Sequence, residues 1–315
     1  MADNPIHPAL RAGVRFLPRL DVSPWTKGLM RLVVPLGTPG GRVPGISRRV
    51  ANVPTTGAPR TLQARIHRPD NVALPTPALL WIHGGGHVLG TAAMDDFLCA
   101  GYARDLGITV VAPDYRLAPE NPFPADLDDC HATLAWMAQA HRELGIDPAR
   151  IAVGGLSAGG GLAAALAQRA LDQGPVVPCF QLLNYPMLDD RTAARTDINE
   201  HGFKLWHQGS NRYAWQAYLG VPPGSASLPD YAVPARRENL SGLPPAWLGV
   251  GSLDLFHDEG RAYAGRLQAC GVACETMIVE GAYHGFDVWS ANAEPSVRFR
   301  QSHVQALRRA LFPGT

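Results

Sequence analysis

Like charges never run five or six together in this 315-residue chain, and 28 Lys and Arg against 27 Asp and Glu leave a formal charge of +1. There is no basic stripe for nucleic acid or lipid headgroups, so neither is an expected partner. Long apolar runs are missing as well: stretches such as Pro77 to Ile82 fall far short of the roughly 20 residues that span a bilayer. Cysteine is scarce and odd in number, at positions 99, 130, 179, 270 and 274. The opening Met-Ala-Asp-Asn-Pro has neither the basic nor the apolar region of a secretory signal. A reducing cytoplasm is the expected location, with Cys270 and Cys274 close enough in sequence to be considered a redox pair. Hydrophobic residues at 46% exclude a disordered chain.

What is present is a rhythm of short apolar runs. Leu79-Leu80-Trp81-Ile82, residues 108–111, 151–153, 180–183, 247–250 and 276–279 read as strands buried on both faces. Helical patterns lie between them, for example Leu127, Leu134, Met137 and Leu144. Strand and helix in alternation predict an α/β architecture with a mostly parallel central sheet flanked by helices. Two stretches break the rhythm, residues 1–55 and 187–243. Both are too long for ordinary loops, and we expect them to fold over one edge of the sheet as a helical cap. The core then divides into 56–186 and 244–315. Within the second stretch, Lys204 to Leu219 reads as a helix carrying Trp206, Tyr213, Trp215 and Tyr218.

The chemistry gathers at the ends of the strands. Gly155-Leu156-Ser157-Ala158-Gly159 has the G-x-S-x-G form, weak evidence by itself in a chain with 33 glycines. Its setting strengthens it: a strand precedes and a small-residue helix follows, as needed to lift a serine oxygen above a sheet. A neutral serine requires a base and a site for the tetrahedral oxyanion. His83-Gly84-Gly85-Gly86 follows a strand, and the N–H groups of Gly85, Gly86 and Ala158 are the candidate oxyanion donors. His83 reads as an orienting residue. His284, in a glycine-flanked loop after the last strand, is the candidate base, and Asp254, just past the strand before it, the candidate acid. His257, Asp258 and Glu259 belong to the start of the next helix. Gly84-x-Gly86 lacks the third glycine of a dinucleotide loop, there is no Walker lysine, and His83 with His87 lacks the helix and glutamate of a zinc site. No metal and no cofactor is expected.

These motifs, with Asp114-Tyr115-Arg116-Leu117-Ala118-Pro119-Glu120, Leu240 to Pro245, Asp258-Glu259-Gly260 and His284-Gly285-Phe286, resemble the hormone-sensitive-lipase-like, or family IV, carboxylesterases of the α/β-hydrolase fold. The resemblance covers about residues 60–312. It implies Ser157 as nucleophile, Asp254 as acid, His284 as base, and a cap built from the N-terminal segment and an insertion. It also implies a serine carboxylesterase for short- to medium-chain esters, acting through an acyl-enzyme, with a small-molecule ester as partner and a homodimer left open. Amide or N-acyl hydrolysis is the alternative activity, and a small-ligand receptor on an inactive scaffold the non-enzymatic one. Asp114 and Arg116 are expected to brace the oxyanion loop. Leu156 stands in place of the usual Asp or Thr, His87 in place of an aromatic residue, and Leu255 in place of a proline. The first two, with Trp25, Met30, Trp206 and Trp215, are the candidate pocket lining.

Overall fold

The structure is a computed structural model that describes residues 4–15, 21–33, 43–55 and 61–314. Eight strands form one sheet: β1 (Ile46–Val53), β2 (Leu62–Pro69), β3 (Thr76–Ile82), β4 (Thr109–Pro113), β5 (Ile146–Leu156), β6 (Phe180–Asn184), β7 (Ala246–Leu253) and β8 (Cys274–Tyr283). Their order is β1-β2-β4-β3-β5-β6-β7-β8. β2 runs antiparallel to both of its neighbours, and every other pairing is parallel. Helices Asp96–Leu106 and Glu294–Leu311 touch each other on one face. Helices Ala125–Gln139 and Ala158–Gln173 lie together on the other, with His257–Ala269 joined to them where Gln168 meets Tyr263. With both faces covered, β3 and β4 are buried at every residue, which is why they read as unbroken apolar runs. Among the described residues, no helix is long and apolar enough to cross a membrane.

The first 55 residues are not one piece of cap. Ile6, Leu10 and Val14 join the main hydrophobic core, and the His7 N–H donates to the Gly281 carbonyl at 2.9 Å. Residues 21–33 join a second cluster over the carboxyl edge of the sheet, through Val22 and Met30. Residues 46–53 are a strand of the core sheet, so the expected boundary at 55 is too late. The misreading has a physical cause: β1 is an edge strand with mostly exposed side chains, held by register pairing with β2 rather than by burial. Residue 56, where the core was expected to begin, lies outside the described residues.

The insertion leaves after β6 and returns before β7, two strands that pair directly. Its ends meet at a narrow neck. The Ala235 N–H donates to the Leu188 carbonyl at 3.1 Å, and the Arg236 guanidinium holds the fully buried Asp190 carboxylate through two bonds of 2.8 Å. Glu259, in the core helix beneath, accepts the Leu188 N–H at 2.7 Å. Burial pushes the Glu259 carboxyl up to about 8. The helix expected from Lys204 begins only at Gln208, whose N–H is accepted by Glu200 Oε1 at 2.6 Å. Residues 204–206 are instead irregular, with Leu205 at φ 66°.

Candidate active site

Ser157 sits between β5 and the helix Ala158–Gln173 with φ 57° and ψ −122°, outside the regions a serine normally adopts. Three backbone bonds hold it there: its N–H donates to Asn184, and its carbonyl accepts from Gly161 and Met187. The flanking glycines are required by close approach. A Cβ on Gly155 would lie 2.4 Å from the Gly159 backbone, and one on Gly159 would lie 2.0 Å from the Ile82 carbonyl oxygen. Strain is concentrated around this point. Four non-glycine residues with positive φ, His87, Ser157, Tyr185 and Leu205, lie in or against the site, so the fold spends local conformational energy here.

The structure brings Ser157, His284 and Asp254 into one hydrogen-bonded line. Ser157 Oγ donates to His284 Nε2 at 3.0 Å, and His284 Nδ1 donates to Asp254 Oδ2 at 2.8 Å. Asp254 Oδ1 accepts the Phe256 N–H at 2.9 Å, so both carboxylate oxygens are engaged. Edge-on contacts from Tyr185 and Phe256, at 4.9 and 5.2 Å between ring centroids, fix the imidazole plane. The Tyr185 hydroxyl in turn donates to Asp287 Oδ1 at 2.8 Å, a carboxyl that burial raises above its ordinary range. All three members of the line are buried, at 4% exposure for Ser157, 8% for His284 and 2% for Asp254. This geometry can move the Ser157 proton onto His284 while Asp254 keeps the other ring nitrogen protonated. His257 pairs instead with the exposed Asp258, and Glu259 faces the cap neck.

The glycine loop lies opposite. Gly85 and Gly86 take φ of 122° and 60°, and a Cβ on Gly85 would meet the Leu89 carbonyl oxygen at 2.2 Å. The Ala158 N–H is the first of its helix and has no carbonyl partner within it. The loop is braced from below by His83, whose Nδ1 donates to the Gly84 carbonyl at 2.7 Å; burial pushes this imidazole down to about 4. Tyr115 stacks on the His83 ring at 4.1 Å and donates its hydroxyl to the His83 carbonyl. The expected brace from Asp114 and Arg116 is thus redistributed. Asp114 accepts the Ala92 N–H just past the loop, while Arg116 grips Asp129 in the helix Ala125–Gln139.

The candidate lining residues divide. Trp206 is buried with its ring over Gly86, where a Cβ would meet Cη2 at 2.3 Å, and 6.4 Å from the His284 ring. Trp215 is buried 5.9 Å from the His87 ring, and Met30 is half-buried against the same cluster. Leu156 packs its Cδ1 over Gly84. His87 is buried, stacked on Tyr218 at 3.9 Å, with Nδ1 bonded to Asp126 at 2.8 Å. Trp25 is 93% exposed and lines nothing. The Val22 N–H bonds Ser210 Oγ, and Arg31 donates to the Val88 and Ala118 carbonyls. Those bonds turn Val22 and Met30 inward and leave Trp25 in solvent. Tyr115, Asp126, Tyr185 and Phe256 were not singled out as site residues. For Tyr185 and Phe256 a usable signal exists, since both follow the carboxyl ends of parallel strands, where such folds build their sites.

Residues 79–288 match the family described as alpha/beta hydrolase fold. Esterase LipI of Mycobacterium tuberculosis is 37% identical over 308 residues, 96% of this chain and 88% of its own. The chain belongs to the hormone-sensitive-lipase-like family of α/β hydrolases. Among other members, an ethyl acetate hydrolase of Pseudomonas putida is 36% identical over 82% of this chain and 81% of its own. The solved structure of a bacterial heroin esterase superposes with a TM-score of 0.90 at 38% identity, covering 98% of each chain. In this α/β hydrolase, as in the fold at large, loops at the carboxyl ends of the strands hold the polar groups.

Proposed function

We propose that this chain is a serine carboxylesterase that hydrolyses small carboxylic esters through an acyl-enzyme on Ser157. As Ser157 Oγ attacks the ester carbonyl carbon, His284 Nε2 takes the hydroxyl proton, and the carbonyl oxygen gains the negative charge. The N–H groups of Gly85, Gly86 and Ala158 hold that oxyanion, each such donor contributing about 10²-fold or more to turnover. The tetrahedral intermediate collapses, the bond to the alkoxy oxygen breaks, and His284 returns its proton to the departing alcohol. Water then repeats the sequence on the acyl-enzyme and releases the carboxylic acid. Asp254 keeps His284 in the tautomer that presents Nε2 to serine.

The observation that carries this reading is the continuous line from Ser157 Oγ through His284 to Asp254, starting from a strained elbow. That relatives are named as an esterase and an ethyl acetate hydrolase supports the ester reading rather than the amide one. All five cysteines are free thiols, which supports a reducing cytoplasm. Burial drives the Cys274 thiol up to about 12, which argues against a redox role for Cys270 and Cys274. A sulfonyl fluoride tests the central claim: peptide mapping should find the label on Ser157. Label on another serine, or esterase turnover by protein that stays unlabelled, would overturn it.

A further inference from the structure

On the cap side of the site three buried polar atoms, His87 Nε2, Asn211 Nδ2 and Trp215 Nε1, have no hydrogen-bond partner among the described residues. They share one seam. Asn211, Ala214, Trp215 and Tyr218 form one stripe of the helix Gln208–Leu219, at spacings of three and four. That stripe faces the glycine loop: Ala214 and Trp206 crowd Gly86, and the His87 ring stacks on Tyr218 and lies beside Trp215. Trp206 Nε1 reaches Asn211 Oδ1 at 3.5 Å, which ties the seam to a ring that lies 6.4 Å from the His284 ring. Buried polar groups are nearly always paired, because leaving one unpaired forfeits its full hydration. Unpartnered buried atoms also occur in the core, at His83 Nε2 and Gln181 Oε1, but these three share one seam against the glycine loop and Trp206, where a ligand group would complete them.

The pattern of donors and acceptors specifies that group. Asp126 accepts on both oxygens, from the Leu127 N–H at 2.7 Å and from His87 Nδ1 at 2.8 Å. His87 therefore carries its proton on Nδ1 and, as a neutral ring, offers the lone pair of Nε2. Trp215 Nε1 and Asn211 Nδ2 can only donate. A group that gives one hydrogen bond and takes two is a hydroxyl. We propose that the seam of His87, Asn211 and Trp215 reads a free hydroxyl on the substrate's acyl chain, so that hydroxyacyl esters are the preferred class. This rests on the ester-hydrolase reading above and narrows its substrate. A hydrocarbon ring at position 87 would offer no such lone pair.

The test compares kcat/KM for aryl esters of β-hydroxybutanoate, both enantiomers, with the β-methylbutanoate ester, in which a methyl group replaces the hydroxyl. The protein should prefer one hydroxy enantiomer by about tenfold or more, because a site built to hydrogen-bond a hydroxyl rejects the analogue that lacks it. His87→Phe and Trp215→Phe should each collapse that ratio. Since the ratio is read within one protein sample, a partly folded variant lowers both rates alike and leaves it interpretable. Equal rates, or preference for the methyl analogue, would mean that the seam holds only buried water; the proposal would fail while the esterase reading stood. A preference that survives both substitutions would place the reader elsewhere and also overturn it. Turnover of neither ester, with Ser157 unlabelled, would remove the esterase reading and this inference together.

Discussion

The two walls of the site are built on opposite plans. On the core wall every reactive group has its partner: Ser157 has His284, His284 has Asp254, and Asp254 has the Phe256 N–H. On the cap wall large rings are buried just as deeply, yet His87, Asn211 and Trp215 each keep a polar atom unmatched among the described residues. A wall that performs the chemistry gains from being fixed before substrate arrives, because reorganisation during the reaction adds to the barrier. A wall that selects the substrate must leave bonds for the substrate to complete. On the reading proposed above, the contrast between the paired Ser157–His284–Asp254 line and the unpaired cap atoms separates turnover from choice.

The largest effect should come from the core wall. Ser157→Ala or His284→Ala should each lower kcat by about 10³-fold or more, and the double variant should lose little further, because the residues act as a unit. Additive losses in the double variant would break the idea of a single linked wall. On the cap wall, Trp206→Ala removes the ring that covers Gly86 and flanks His284. Truncating a buried aromatic costs about 3–5 kcal/mol of stability, and kcat/KM should fall mainly through KM as the acyl group loses its cover. A loss in kcat equal to that of Ser157→Ala would erase the contrast. Smaller again is Arg31→Ala, which frees the Val88 and Ala118 carbonyls from the N-terminal segment. Each carbonyl left unsatisfied costs about 1–3 kcal/mol if it stays buried; steady-state kinetics should show a raised KM with kcat little changed.

The effect with least bearing on turnover lies at the neck that joins the walls. Glu259 in the folded chain keeps its proton up to about pH 8, whereas its ordinary value is 4.5. Between those values the unfolded chain binds fewer protons, so stability falls as pH rises across the window and is highest below it. Glu259→Gln keeps the acceptor for the Leu188 N–H without the charge. Denaturation midpoints at the two ends of the window should converge in the variant and differ in the parent. Parallel slopes in both proteins would show that Glu259 does not set the trend.

The core wall was largely legible in the sequence, and the reason is local. Strands buried on both faces leave continuous apolar runs, so β3 to β7 could be read directly; β8 was read from a similar run although it is an edge strand with Ile278 exposed, and Ser157 and His284 stand inside short motifs at strand ends. The edge strand β1 could not be read that way, since its residues 47–50 are exposed and its stability comes from pairing with residues up to 23 positions away. The cap wall was legible as composition but not as geometry. The aromatic residues pointed to a cover, yet nothing local distinguishes the solvent-facing Trp25 from Trp206 over the glycine loop. Trp206 was expected within a helix and instead precedes it. The partnership of His87 with Asp126 spans 39 residues and leaves no trace in the spacing of either.

The neck between Leu188 and Ala235 has a consequence for descent as well as for structure. The insertion is a detour between two paired strands, β6 and β7, and its two ends are tied to each other. Changing the length of a loop that already closes on itself alters its closure entropy only slowly, by about 0.6 kcal/mol for each doubling. A lineage can therefore lengthen, trim or exchange everything between the two ends while the sheet, the elbow and the loops carrying Asp254 and His284 stay in register. The cover is heritable as a unit separate from the catalyst beneath it.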